Sequence, residues 1–184
     1  MNQEAFILEV GEQGFPRYVI ENSHKLPVLV EFLGVWSEPC MIMADVLHEL
    51  ANEFAGQFVF AKVDIDEQQG LAEQYKIENI PTLLVFQDGE VTFTQAGQMH
   101  EEELRVLLKG IGVFRASDEL RRQAREKHMA GDTPGAILLL TRAIQEDPGN
   151  TRVAMDMVQI FIDTSQLDQA KGLFNKLPDR DTRK

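Results

Sequence analysis

The segment VEFLGVWSEPCMIMADVL, Val30 to Leu47, changes period abruptly. A hydrophobic run of β-branched and aromatic residues breaks at Trp36, and Ser37-Glu38-Pro39-Cys40 then leads into a helical pattern. Between Pro39 and Ala55 the residues Met43, Val46, Leu47, Leu50, Ala51 and Phe54 fall at offsets of 0, 3, 4, 7, 8 and 11. That spacing is one apolar stripe of an α-helix. The only cysteine of the chain, Cys40, therefore stands at the mouth of a helix, three residues after a serine.

Working outward, three further stretches read as strands: AFILEV (Ala5 to Val10), QFVFAKVDID (Gln57 to Asp66) and TLLVFQDGEVTFTQAG (Thr82 to Gly97). With PVLVEFLG (Pro27 to Gly34) they alternate with helical patterns, which implies parallel pairing by crossover. Asp88-Gly89 divides the last stretch as the signal of a tight hairpin. The predicted architecture is a mixed sheet with helices on its faces. Glu31 and Lys62 each interrupt a strand that otherwise reads as buried on both faces, where an isolated charge is costly. The reading is that the two partner each other.

From Ser117 onward the strand pattern stops and helical, one-sidedly charged segments follow, with loops at Gly131-Asp132 and Asp147 to Asn150. At an offset of 34 residues Ala136 aligns with Ala170, Leu140 with Phe174, and Asp132-Thr133 with Gln166-Leu167. Small residues at such positions let two helices approach closely. A helical repeat and a plain helical hairpin both fit.

Composition narrows the function classes. The 184 residues carry a formal charge of −12 and a pI near 4.7, and the basic runs (Arg121-Arg122, Arg180 to Lys184) sit among acids, so nucleic acid is not the expected partner. No apolar run approaches the roughly 18 residues of a membrane span, and MNQEAFILEVGEQ is acidic with no export pattern. A lone cysteine cannot build an internal disulfide or a thiolate metal site. The expectation is a cytoplasmic protein with no metal and no cofactor.

VLVEFLGVWSEPC, FVFAKVDID, IENIPTLLVFQDGEV and TQAG, in that order, resemble the thioredoxin family over about residues 1–112. The resemblance implies the thioredoxin fold. That family carries Trp-Cys-Gly-Pro-Cys; Trp36, Pro39 and Cys40 match, while Ser37 stands for the first cysteine and Glu38 for the glycine. Cys40 thus inherits the place of the resolving sulfur, and the attacking sulfur is missing. Ser37 can cap the helix with its oxygen, but His24 and His48 lie too far along the chain to activate it as a nucleophile. Cys40 is either a small buried hydrophobe or a single thiol able to form a mixed disulfide. In thioredoxins an acid and a lysine at the positions of Glu31 and Lys62 serve proton transfer beneath the dithiol; here the alternative is a structural pair. Ile80-Pro81-Thr82 matches the family's cis-proline loop, so Trp36, Met41, Ile80 and Pro81 are expected to form an apolar rim around Cys40.

GDTPGAILLLTRAIQEDPGN resembles the second helix and exit turn of a tetratricopeptide repeat, with Ala136, Ala143 and Pro148 at the family's small and turn positions. Leu177 occupies the place of a small residue in the weaker second copy, Thr151 to Pro178. A thioredoxin-like region (1–112) followed by about two tetratricopeptide-like hairpins (113–184), with a Ser-x-x-Cys site, resembles the chaperedoxin (YbbN-like) co-chaperones. ELRRQAREKHMAGDTPGAILLL and KLPDRDTRK add to the match, the latter lying mid-chain in that family, so a fragment or short form is expected. The resemblance implies a holdase that binds unfolded client proteins and passes them to Hsp70 or chaperonin machines, without dithiol reductase activity. A monothiol oxidoreductase using Cys40 and an interaction scaffold are the alternatives.

Overall fold

The computed structural model describes residues 6–177; Ala5 of the first predicted strand and the segment from Pro178 lie outside the described residues. The chain divides into two compact units between Val113 and Phe114.

The first unit holds one five-stranded sheet: β1 (Ile7–Glu9), β2 (Val28–Leu33), β3 (Val59–Asp64), β4 (Thr82–Gln87) and β5 (Glu90–Ala96), in the order β1-β3-β2-β4-β5. β3 pairs in parallel with β1 and β2, whereas β4 pairs antiparallel with β2 and β5. The β4-β5 turn is Asp88-Gly89 with φ of 52° and 84°, the double positive-φ backbone that matches the twist of a tight hairpin.

Alternation sorts the strand residues onto two cores. Leu29, Leu33, Phe60, Leu83 and Val85 face the helices α1 (Glu38–Glu53) and α3 (Glu101–Gly110), meeting Met43, Leu47, Leu50, Leu104 and Leu108. Val30, Phe32, Ala61, Val63, Leu84 and Phe86 face the opposite way, onto Phe15, Val19, and Leu71 of the short α2 (Gln69–Gln74). The apolar stripe of α1 is the one its spacing predicts, since Met43, Leu47, Leu50 and Ala51 are all buried. α2 and the helical turns over Pro16–His24 are not legible as helices in the sequence, being too short to show a period. Arg105 of α3 grips Glu53 of α1 with two hydrogen bonds, at 2.6 and 3.1 Å, which fixes α3 beside α1.

The second unit is all helical: α4 (Ala116–Met129), α5 (Thr133–Glu146), α6 (Thr151–Asp163) and α7 (Leu167–Phe174). α4 packs on α5, α5 on α6 and α6 on α7. Close approach is possible because Ala124, Ala136 and Ala143 are buried at the contacts, with Leu120, Leu140, Val153 and Met157 completing the core. Asp132 caps α5 through a 2.9 Å bond from the Gly135 N–H. The 34-residue relation holds at the helix starts, Asp132 and Gln166 both preceding a helix, and at Ala136 and Ala170, both buried. It lapses at Phe174, which is exposed where Leu140 is fully buried.

Candidate functional site

The sheet ends that would carry the chemistry converge at the head of α1. After Leu33 the chain leaves the sheet through Gly34, where the Ser37 N–H donates to the Gly34 carbonyl at 3.0 Å, and the first helical turn closes from the Met41 N–H to the Ser37 carbonyl at 3.1 Å. A Cβ on Gly34 would stand 2.9 Å from the Trp36 indole and 3.0 Å from Ile80 Cδ1, so glycine is needed for both side chains to lie over this backbone. Ile80-Pro81 is cis. Its loop is tied down by the Thr82 hydroxyl donating to the Asn79 carbonyl at 2.6 Å and the Gly97 N–H to the Pro81 carbonyl at 2.8 Å.

Around this backbone the predicted residues separate into buried and exposed. Cys40 is fully buried and its thiol is free of any disulfide. Trp36 is 70% exposed and Val35 64%, with Met41 and Ile42 also open to solvent on the first turn of α1. Glu38 and Pro39 are exposed, Ser37 and Ile80 half-buried, and Pro81 buried. The expected rim is therefore corrected: Pro81 is buried and Ile80 half-buried, and the exposed apolar positions at the head of α1 are Val35, Trp36, Met41 and Ile42. Val35 and Ile42 could have been found by noting that they flank the strand-to-helix break on the side away from the buried stripe. Trp36 is also tethered, its indole N–H donating to Asp66 Oδ2 at 2.8 Å, and Asp66 is held in turn by its own N–H bonding Asp64 Oδ1 at 2.9 Å. In sequence Asp66 reads as the end of a strand, and nothing local marks it as the partner of a tryptophan 30 residues earlier.

Two further expectations are corrected. Ser37 occupies the position before the first helical residue, yet its side chain makes no capping bond. Pro39 explains part of this, since it removes one of the two N–H groups that a capping oxygen reaches. Glu31 and Lys62 are register partners on β2 and β3, but they form no ion pair: Lys62 Nζ lies 3.1 Å from Glu9 Oε1 across β1. Neither carboxylate oxygen of Glu31 has a hydrogen-bond partner among the described residues. Reaching toward the sheet edge, where the Glu9 side chain is 84% exposed, keeps the ammonium hydrated; turning inward would desolvate two charges at once. Burial consequently pushes the Glu31 carboxyl up to about 8, against the field of Lys62, which lowers it, and with Asp45 on α1 adding a like charge that raises it. Glu31 is held as the neutral acid near pH 7.

Chemically, this site lacks a dithiol. Reduction of a disulfide by exchange needs an attacking thiolate and a second sulfur to release the product, and the position of the first sulfur is a serine hydroxyl. What the site does present is an apolar ledge anchored by a single tryptophan. Among the described residues no group of three or more His, Cys, Asp or Glu is placed to hold a metal ion, and no helix is long and apolar enough to cross a membrane.

A β1-β3-β2-β4-β5 sheet with a helix starting at Trp-x-x-Pro-Cys beside a cis-proline loop defines a thioredoxin-fold protein. Comparison with known proteins agrees. The thioredoxin family model matches residues 6–110 and a tetratricopeptide repeat model matches residues 128–183. The chain is 38% identical to thioredoxin C-2 of Corynebacterium nephridii over 104 residues, 56% of this chain and 94% of that protein. It is 35% identical to a thioredoxin of Haemophilus influenzae over 98 residues (53% and 90%) and 38% identical to one of Acidithiobacillus ferridurans over 102 residues (55% and 93%). The chain belongs to the thioredoxin family, with a tetratricopeptide-like helical region following the thioredoxin domain.

Proposed function

We propose that this protein is a chaperedoxin-type co-chaperone: a holdase that binds unfolded segments of client proteins at the former redox face, has no dithiol reductase activity, and works in the cytoplasm. The observation that carries the reading is the contrast at the head of α1, where the thiol is fully buried while Trp36 and Val35 beside it are exposed. A face that keeps an apolar ledge and hides its sulfur suits adhesion to peptide better than exchange with it. The helical region supports a protein-binding role alongside it, through which clients pass to Hsp70 or chaperonin machinery.

Suppression of light scattering by a chemically denatured client, together with insulin reduction under dithiothreitol, tests the proposal. The expected outcome is suppression of aggregation with insulin turnover at background. Thioredoxin-like turnover, or no suppression at any molar ratio, overturns it. The monothiol oxidoreductase reading, in which Cys40 forms mixed disulfides, requires the buried thiol to become accessible; the scaffold reading requires one folded partner in place of many unfolded clients.

A further inference from the structure

The apolar ledge at the head of α1 is bracketed by acids. Ile42, itself exposed, has Glu38 one turn before it and Asp45 one turn after it on the exposed side of the helix. Trp36 has Asp66 bonded to its indole N–H at 2.8 Å, and Asp64 stands behind Asp66, accepting its N–H at 2.9 Å. Glu38, Asp45 and Asp66 are all exposed.

Neighbouring chain supplies no cation to offset them. Lysine and arginine are absent between Lys25 and Lys62, between Lys62 and Lys76, and between Lys76 and Arg105. Those intervals hold β2 and α1, the loop after β3 and the cis-proline loop, the segments that meet at the ledge. The cations that bound the intervals are placed elsewhere. Lys25 precedes β2, at the strand end away from α1. Lys62 reaches Glu9 across β1, and Arg105 holds Glu53 in the last turn of α1. Lys76 follows Tyr75, whose ring packs on Phe15, Phe32 and Phe86 at the opposite face of the sheet. In the helical unit, by contrast, Arg115, Arg121 and Arg142 each engage a carboxylate. Acid without a nearby cation is thus a local property of the ledge as well as a share of the overall charge of −12.

We propose that the ledge selects client segments in which a short apolar run is flanked by lysine or arginine; the inference rests on the holdase reading of this face. An extended segment advances about 3.3 Å per residue with alternate side chains on one side, so a side chain two positions from the one seated on Trp36 or Ile42 lies about 7 Å along. A lysine or arginine there lays its methylene stem on the ledge and brings its charged head to Glu38, Asp45 or Asp66. Each such exposed contact is weak by itself, and several together are screened by salt. A segment flanked by glutamate or aspartate meets like charge and is disfavoured. The ligand class is common in unfolded chains, because natural sequences place charged gatekeepers beside hydrophobic strands. The indole's own apolar share of the binding is not screened, so salt erodes the selection and spares that share.

The test uses the full chain at low salt and reads the emission of Trp36, the chain's one tryptophan, as peptides free of tryptophan and tyrosine are added. Three peptides, acetylated and amidated at their ends, share the core Leu-Val-Phe-Leu and carry a pair of lysines, serines or glutamates on each side. The lysine peptide should shift the emission to the blue and bind about tenfold or more tighter than the glutamate peptide, with serine between, and about 0.5 M sodium chloride should shrink that ratio severalfold. Glu38→Gln combined with Asp45→Asn and Asp66→Asn, the last keeping an oxygen for the indole N–H, should bring the lysine peptide to the level of the serine peptide with circular dichroism unchanged. A charge-matched control, Glu21→Gln with Asp88→Asn and Glu90→Gln at the hairpin end of the sheet away from α1, should leave the ratio as it is. Equal binding of the three peptides, a ratio that salt does not alter, an unchanged ratio in the first variant or an equal loss in the control each overturns the selection while leaving the ledge as the client site. An emission unmoved by every peptide at sub-millimolar concentration overturns the selection and the holdase reading of this face together.

Discussion

Glu31 and Lys62 are register partners on adjacent parallel strands, yet the lysine's ion pair is with Glu9 and the glutamate's two oxygens have no hydrogen-bond partner among the described residues. The pH dependence of stability follows from this. The folded-state pKa of Glu31, about 8, lies above the ordinary 4.5. Below pH 4.5 both folded and unfolded states hold the proton and the residue has no effect. Between 4.5 and 8 the unfolded chain ionises while the folded one does not, so stability falls as pH rises, by at most about 1.4 kcal/mol per pH unit. Glu31→Gln should remove that slope, leaving urea midpoints alike at about pH 4.5 and higher than those of the parent protein at about pH 8. Parallel pH profiles for the two proteins would show that Glu31 titrates normally.

Lys62→Met follows from the same geometry with a smaller effect. The lysine's bond is to an exposed carboxylate, so its loss should cost no more than about 1 kcal/mol near neutral pH. A buried ion pair broken by the same change would cost about 3 to 5 kcal/mol. Chemical denaturation of the variant near neutral pH separates the two.

The tether from Trp36 to Asp66 can be read directly, because the chain has one tryptophan. Asp66→Ala should free the indole, increase its quenching by acrylamide, and weaken client binding severalfold while leaving the melting temperature nearly unchanged. Trp36→Ser should weaken client binding more, with little dependence on moderate salt, since the indole binds by apolar packing that salt does not screen. Unaltered client binding in both variants would place the holdase surface elsewhere.

Cys40 should react slowly with a thiol reagent in the native protein and at once in denaturant, because it is fully buried. In Ser37→Cys the new sulfur would lie one helical turn from Cys40, and mild oxidation should remove both free thiols as an internal disulfide. Persistence of two titratable thiols after oxidation would mean that the loop does not bring the positions within bonding reach.

Ala143→Leu should destabilise the helical unit by about 1 to 3 kcal/mol, as added methylenes have no space where the alanine is fully buried between helices. Thermal unfolding should show an earlier loss of helix. A variant as stable as the parent would mean that the helices can separate without cost.

The sequence by itself determined the architecture around α1, because the cues are local. The 0, 3, 4, 7, 8, 11 spacing of its apolar residues, the Asp88-Gly89 turn and the largely apolar runs of β2 and β3 each depend on neighbours within a few positions, and each is present in the fold. The 34-residue relation is legible in part, through Ala136 and Ala170, both of which are buried in the fold. The missing first sulfur, too, is plain from Ser37 alone. Tertiary structure decided the rest. Whether Lys62 turns to Glu31 or to Glu9 depends on which neighbour lies at the sheet edge, and that β1 pairs with β3 is set by strand order. That Pro81 is buried is decided by the packing of its loop, and Asp66 reaches Trp36 only once β2 and β3 lie side by side. Pairings between residues roughly 20 to 50 positions apart leave no period in the chain, since their energies come from desolvation and geometry that arise only when the elements pack.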